Sequence, residues 1–121
     1  MSGEGAGVIR GGARPAGEII AQLAQIIDER RTAAAETSYT AKLLAAGPLK
    51  CAKKLGEEGV ECALAVSAEG QDAVVAEAAD VVYHLLVALA VRDVPLAAVE
   101  AELERRFKLS GLEEKAQRTE S

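Results

Sequence analysis

The segment from residue 73 to residue 91 constrains the fold more than any other part of the chain. It contains three strongly polar side chains, Glu77, Asp80 and His84, and most of its other positions are Ala, Val or Leu. The apolar residues recur at helical spacing, which predicts a helix from about Asp72 to the end of this segment. Because a helix this apolar must be covered on most sides, we expect it to lie at the centre of the protein.

The rest of the chain also favours helices. Half of its residues are hydrophobic, chiefly Ala, Leu and Val, and the aromatic residues are two tyrosines and one phenylalanine. Ala and Leu favour helix, whereas strands prefer β-branched and aromatic residues. We therefore predict an all-α bundle of four to five helices, at about residues 17–35, 41–46, 48–68, 72–91 and 95–107.

Such a bundle leaves apolar side chains for a partner. Val75, Val82 and Leu86 extend the main apolar stripe of the predicted central helix around its circumference. Helices of these lengths do not cover all of that surface, so we expect a homodimer or larger homo-oligomer that completes the bundle.

Residues 17–109 are predicted to form one domain between a flexible Gly-rich tail (1–16) and a charged C-terminal tail (110–121). The formal net charge of −5 argues against nucleic acid as a partner, because affinity for the phosphate backbone requires a surplus of Lys and Arg. The N-terminal tail has no apolar run typical of a signal peptide, and the polar residues of the central helix argue against a membrane span. We expect a cytoplasmic protein.

Two pairs of acidic residues carry the main functional signal. Glu58 and Glu61 are three positions apart, as are Glu77 and Asp80, so each pair lies on one face of its predicted helix. A short connection between the two helices favours an antiparallel arrangement, which would gather four carboxylates into one site. Hard divalent cations such as Mg²⁺ are held by oxygen-rich sites of this kind.

Ordinary surface acids in salt bridges are the alternative for each of these residues. The predicted central helix, however, offers neither Glu77 nor Asp80 a basic neighbour, and carboxylates without partners are costly to bury. Glu57 adds a fifth carboxylate, which is a candidate general base and equally a solvent-facing helix acid.

Lysines concentrate next to the first acidic pair. Residues 38–56 contain no acid and four lysines, Lys42, Lys50, Lys53 and Lys54. Such cations, together with a metal ion, suit a polyphosphate substrate, although a solvated helix start is the alternative. For His84 we favour substrate contact or a hydrogen bond to Asp80 over metal ligation.

Four segments in order resemble the phosphoribosyl-ATP pyrophosphohydrolase family of histidine biosynthesis. They are residues 38–44 (SYTAKLL), 53–61 (KKLGEEGVE), 77–86 (EAADVVYHLL) and 110–115 (SGLEEK), and the resemblance covers roughly residues 17–118. This family is similar to the all-α, MazG-like nucleotide pyrophosphohydrolases, which share ExxE followed by ExxD on neighbouring helices.

The resemblance implies Mg²⁺-dependent hydrolysis of phosphoribosyl-ATP to phosphoribosyl-AMP and pyrophosphate, the second step of histidine biosynthesis. It implies that Lys53 and Lys54 face the phosphates and that the two acidic pairs provide the Mg²⁺ ligands, namely Glu58, Glu61, Glu77 and Asp80. Gly59 departs from the expected helix former, and we expect it to mark the close approach of a neighbouring helix.

Two other functions are compatible with parts of this pattern. One is a MazG-like housecleaning enzyme that acts on free or damaged nucleoside triphosphates, and the other is a non-enzymatic helical dimerisation module. The metal site does not separate the first of these from the histidine enzyme, whereas segments 38–44 and 110–115 favour the histidine enzyme. The sequence leaves open which carboxylate acts as the base, how many metal ions bind, and which residues recognise the adenine and the second ribose.

Overall fold

A computed structural model describes residues 15–108, and the predicted tails therefore lie almost wholly outside the described residues. Five α-helices and two short 3₁₀ turns form the described part, which contains no strand. The predicted all-α fold is confirmed. The helices are α1 (Glu18–Glu29), α2 (Tyr39–Ala46), α3 (Pro48–Ala68), α4 (Gln71–Val91) and α5 (Leu96–Phe107), and the 3₁₀ turns are Arg30–Thr32 and Ala35–Thr37.

The long helices α3 and α4 form an antiparallel hairpin that positions the acidic residues. Each has 21 residues, which corresponds to a length of about 31 Å. Pro48 occupies the first turn of α3, and Gly47 before it has a φ of 97°, a left-handed conformation that favours glycine. The predicted bounds of α3 are confirmed, because local signals fix both of its ends.

The first helix ends six residues earlier than its predicted end at Ala35, so that prediction is wrong. After Glu29 the chain makes a 3₁₀ turn and then becomes extended at Ala33. Arg31 holds this end of α1 on the bundle, since its guanidinium donates to the main-chain oxygen of Ala90 and pairs with Asp93 at 3.2 Å. The contact that shapes the end of α1 is thus made to the far end of α4.

The core lies where α1, α2, α3 and α4 meet. Its buried apolar residues come from all four helices and are Ile27, Leu43, Cys51, Leu86 and Val87. Leu86 is only 4% exposed, so the prediction that this residue remains for a partner is wrong, whereas Val75 is 68% exposed. Cys51 and Cys62 are both free, as their separation along one helix requires.

The last described helix, α5, packs weakly on the rest. It has no buried residue, and its polar face is tied by ion pairs from Glu102 to Arg105 and Arg106 at 2.7 and 3.0 Å. Leu103 and Phe107 are exposed on this helix. An apolar surface therefore remains at this end of the described chain.

By length and composition alone, α4 is the one described helix that could cross a membrane. The same test is passed by the central helices of soluble bundles. Here α4 packs along α3, and it carries Glu77 and Asp80 within its first half.

Candidate active site

Three carboxylates from the α3–α4 hairpin converge. One oxygen each of Glu58, Glu77 and Asp80 lies within 4.8 Å of the others. The i, i+3 spacing puts Glu77 and Asp80 on one face of α4, and the antiparallel hairpin brings Glu58 of α3 alongside them. Residues that are separate in sequence thus form one oxygen-rich cluster, hereafter the carboxylate cluster.

Glu61 lies beside the carboxylate cluster rather than inside it. Its side chain is exposed one turn beyond Glu58, and it is not among the residues whose oxygens lie within 4.8 Å of one another. Its negative charge nevertheless raises the pKa of Glu77 more than any other neighbouring carboxylate does. Four carboxylates therefore share one electrostatic environment.

Glu77 is the residue that most needs a partner. Its Oε1 atom is buried and has no hydrogen-bond partner in the part of the chain that the structure describes. Loss of solvation, followed by the charges of Glu61 and Asp80, raises the pKa of this carboxyl. A cation at this position would remove both penalties. The buried oxygen and the all-carboxylate donor set fit Mg²⁺, which prefers hard oxygen ligands.

His84 is buried one turn beyond Asp80 on α4. Its Nδ1 atom donates to the main-chain oxygen of Asp80 at 2.9 Å, since a carbonyl oxygen can only accept. The expected hydrogen bond to Asp80 is therefore made to its main chain and not to its carboxylate. The Nε2 atom of the ring is buried without a hydrogen-bond partner among the described residues.

The predicted phosphate-binding lysines occupy two helices. Lys50 and Lys53 are exposed in the first two turns of α3, whereas Lys42 lies on α2. Lys54 pairs with Glu57 at 3.6 Å. The candidate base Glu57 is thus an exposed carboxylate that is paired with a lysine and directly precedes Glu58 on α3.

Two tyrosines join α2 to the site. The rings of Tyr39 and Tyr83 stack with centroids 6.5 Å apart and planes inclined by 20°, and the Tyr83 ring meets His84 edge to face at 4.9 Å. The Tyr83 hydroxyl also hydrogen-bonds Thr40 Oγ1 at 2.5 Å, so Tyr83 links α4 to α2. Sequence reasoning did not single out Tyr39 as a site residue, and its place in the recognised segment 38–44 was the available signal.

The fold and the site fit the class of all-α hydrolases that act on phosphoric anhydrides. The family model described as Phosphoribosyl-ATP pyrophosphohydrolase matches residues 20–107. The chain is 53% identical over 97 residues to a protein of Paracoccus denitrificans, covering 80% of this chain and 90% of the relative. It is 58% identical over 99 residues to a protein of Methylobacterium nodulans, covering 82% and 92% respectively.

A third relative, from Dinoroseobacter shibae, is 53% identical over 100 residues, which cover 83% of this chain and 98% of the relative. All three relatives are named phosphoribosyl-ATP pyrophosphatase. The chain belongs to the phosphoribosyl-ATP pyrophosphohydrolase family.

Proposed function

We propose that this protein hydrolyses phosphoribosyl-ATP to phosphoribosyl-AMP and pyrophosphate with Mg²⁺, as the second step of histidine biosynthesis in the cytoplasm. The observation that carries the proposal is the buried Oε1 of Glu77, which has no hydrogen-bond partner within residues 15–108, on a residue that belongs to a group of three carboxylates with oxygens within 4.8 Å of one another. Such an arrangement is unfavourable without a cation and suited to one. The names of the relatives supply the substrate.

Glu58, Glu77 and Asp80 would hold the metal, with Glu61 as a fourth ligand. A bound Mg²⁺ neutralises charge on the phosphates and lowers the pKa of water. The His84 ring donates to the main-chain oxygen of Asp80 at 2.9 Å, so it packs against the helical turn that carries this ligand.

Lys50, Lys53 and Lys54 would bind the phosphates of the substrate. Lys50 and Lys53 are exposed at the start of α3, within three turns of Glu58. A carboxylate of the site takes the proton from the attacking water. We assign this role to Glu57, because it precedes Glu58 on α3 and is not one of the three clustered carboxylates.

We further propose that two or more copies assemble. Val60 and Leu64 are 61% and 58% exposed on α3, and they are four positions apart, so they share one face. Leu103 and Phe107 are similarly related on α5 and are 44% and 78% exposed. Apolar faces of this kind are buried by association. Light scattering that gives the mass of a monomer at micromolar concentration would contradict this assembly.

The function is tested by incubating the protein with phosphoribosyl-ATP, ATP and dCTP in separate reactions, each with Mg²⁺ and with excess EDTA. We expect pyrophosphate to be released fastest from phosphoribosyl-ATP and to be absent with EDTA. Faster release from ATP or dCTP would favour a general nucleotide pyrophosphohydrolase. No release from any of the three would refute an enzymatic role.

The site assignment is tested by Glu61→Ala and Asp80→Ala, with Glu100→Ala on the exposed face of α5 as the matched control. The first two variants should lose turnover while their circular dichroism remains helical, because both lie on the polar face of a stable hairpin. The control should keep full turnover. Unchanged pyrophosphate release from Asp80→Ala would remove this residue from the site.

A further inference from the structure

An exposed aromatic ring and an exposed lysine lie together at the start of α2. A cavity of about 500 Å³ is lined by Ala35, Glu36, Ser38, Tyr39 and Lys42. Tyr39 is 55% exposed, so one part of its ring is available to a ligand. Ser38 is already occupied, since its Oγ accepts from the main-chain N–H of Ala41 at 3.1 Å.

Contacts with neighbouring side chains hold the two tyrosines in place. The ring of Tyr39 lies against the ring of Tyr83, 6.5 Å away and nearly parallel. Tyr83 is in turn fixed by Thr40 at 2.5 Å and by the edge of His84. An exposed ring with a rigid stacked support loses little conformational freedom when a flat ligand settles on it.

This aromatic pair lies one helical turn from the carboxylate cluster. Tyr83 follows Asp80 by three positions on α4, which is about 4.5 Å of helical rise, and the ring of Tyr39 on α2 stacks with the ring of Tyr83. A nucleotide whose phosphates reach Glu77 and Asp80 can therefore extend its base toward Tyr39. Every base offers a π face to an aromatic ring.

We propose that Tyr39, supported by Tyr83, stacks on the purine of the substrate and that Lys42 binds the phosphate of the ribosyl group attached to that purine. This proposal rests on the proposed function for the identity of the substrate. Phosphoribosyl-ATP carries phosphates on both sides of its base, a triphosphate and a single ribose phosphate. Lys42 lies on α2 beside Tyr39, whereas the other three candidate lysines lie on α3.

Because the lysines lie on two different helices, they can bind different phosphates of the substrate. The α3 lysines and the carboxylate cluster meet the triphosphate, which ATP also has. Lys42 meets the second phosphate, which ATP lacks. Glu36 lines the same cavity, and its carboxylate can accept from an exocyclic N–H of the purine. Preference for phosphoribosyl-ATP over ATP then comes from Lys42.

Stacking can be detected directly, because the chain contains no tryptophan. Tyr39→Trp introduces a single fluorophore at the proposed platform, and Phe107→Trp introduces one on α5 as a control. Both AMP and phosphoribosyl-AMP should quench the first variant and leave the second unchanged. Titration heat without quenching in Tyr39→Trp would overturn the stacking role.

Binding of AMP and of phosphoribosyl-AMP, which differ by the second ribose phosphate, separates the roles of the two residues. In calorimetric titrations performed in the presence of Mg²⁺, Tyr39→Ala should weaken the binding of both AMP and phosphoribosyl-AMP by about 5- to 150-fold. Tyr39→Phe should retain wild-type affinity for both. Lys42→Gln should weaken phosphoribosyl-AMP by about 10-fold and leave AMP unchanged. The matched control is Lys108→Gln at the C-terminal cap of α5, which should bind both ligands normally.

If Lys42→Gln weakens the binding of AMP and phosphoribosyl-AMP equally, Lys42 does not bind the second phosphate. Wild-type affinity in Tyr39→Ala, or no binding of either ligand by the wild-type protein, would overturn the platform. Tyr39→Leu, which keeps apolar bulk without a π face, serves if the alanine variant does not fold. Pyrophosphate release by the wild-type protein tests the proposed function separately, so the two failures are distinguishable.

Discussion

Replacing Glu77 with glutamine should make the metal-free protein more stable and at the same time abolish its stabilisation by Mg²⁺. Burial and the neighbouring carboxylates raise the pKa of Glu77, so the folded protein disfavours its charged form. Glutamine has nearly the same shape and no charge. The variant therefore removes an unfavourable charge and one metal ligand together.

The pH dependence has a definite sign. A carboxyl whose pKa is raised on folding destabilises the fold most above its folded pKa, and the penalty fades as the pH falls through that value toward the unfolded one. The advantage of Glu77→Gln over the wild type should accordingly be constant near neutral pH and shrink under acidic conditions. Thermal melts in EDTA across this range measure it.

The effect of Mg²⁺ has an expected size. A ligand that binds only the folded state stabilises it by RT ln(1 + [L]/Kd), which is about 1.4 kcal/mol when its concentration is roughly ten times Kd. For a folded region of this length, the corresponding rise in Tm is about 6 to 11 °C. The wild type and the surface control Glu100→Gln should show this rise, and Glu77→Gln should not.

Two results would refute the reasoning. If Glu77→Gln in EDTA has a lower Tm than the wild type at neutral pH, the Glu77 carboxylate stabilises the metal-free fold and does not destabilise it. If the variant keeps the full Mg²⁺ shift, the cation binds elsewhere.

Three further predictions concern stability. Ile27→Ala, at a site only 1% exposed, should lower the free energy of unfolding by about 2–5 kcal/mol in urea titrations, and a loss below 1 kcal/mol would place α1 outside the cooperative core. Gly59→Ala should raise the free energy of unfolding by about 1 kcal/mol, because no heavy atom of the described residues lies within 4 Å of the added Cβ. A decrease in the free energy of unfolding would reveal a contact at this position. Glu102→Gln should lower Tm above pH 4.5, because two arginines hold the pKa of Glu102 at about 2 in the folded protein. The difference in Tm between the variant and the wild type should disappear as the pH falls toward 2. A difference in Tm that persists at pH 2 would contradict this cause.

The bounds of α3 and the pairing of the acidic residues were predictable because local sequence determines them. Gly47 and Pro48 start α3, and the i, i+3 spacing alone places two carboxylates on one face. The expectation that Gly59 marks a close helix approach is wrong for the described residues, where its position faces open space. A glycine in a sequence does not reveal what lies beside it.

The rotation of α4 about its axis was not predictable in the same way. This helix is apolar nearly all round, so its sequence selects no single face for the core. Packing against α1, α2 and α3 buries Leu86 and Val87 and leaves Leu85 38% exposed. That rotation also decides that an oxygen of Glu77 is buried. The most informative property of the site therefore depends on tertiary contacts.

The hydrogen bond between Arg31 and the main-chain oxygen of Ala90 has a consequence for how the protein is made. These residues are 59 positions apart, and the core partners of Ile27 include Leu86 and Val87. At ribosomal rates of about 5–20 residues per second, α1 waits roughly 3 to 12 s for the residues that hold it. The helix synthesised first in the described chain must remain undocked until α4 has emerged, with its isoleucines exposed to chaperones and to other nascent chains.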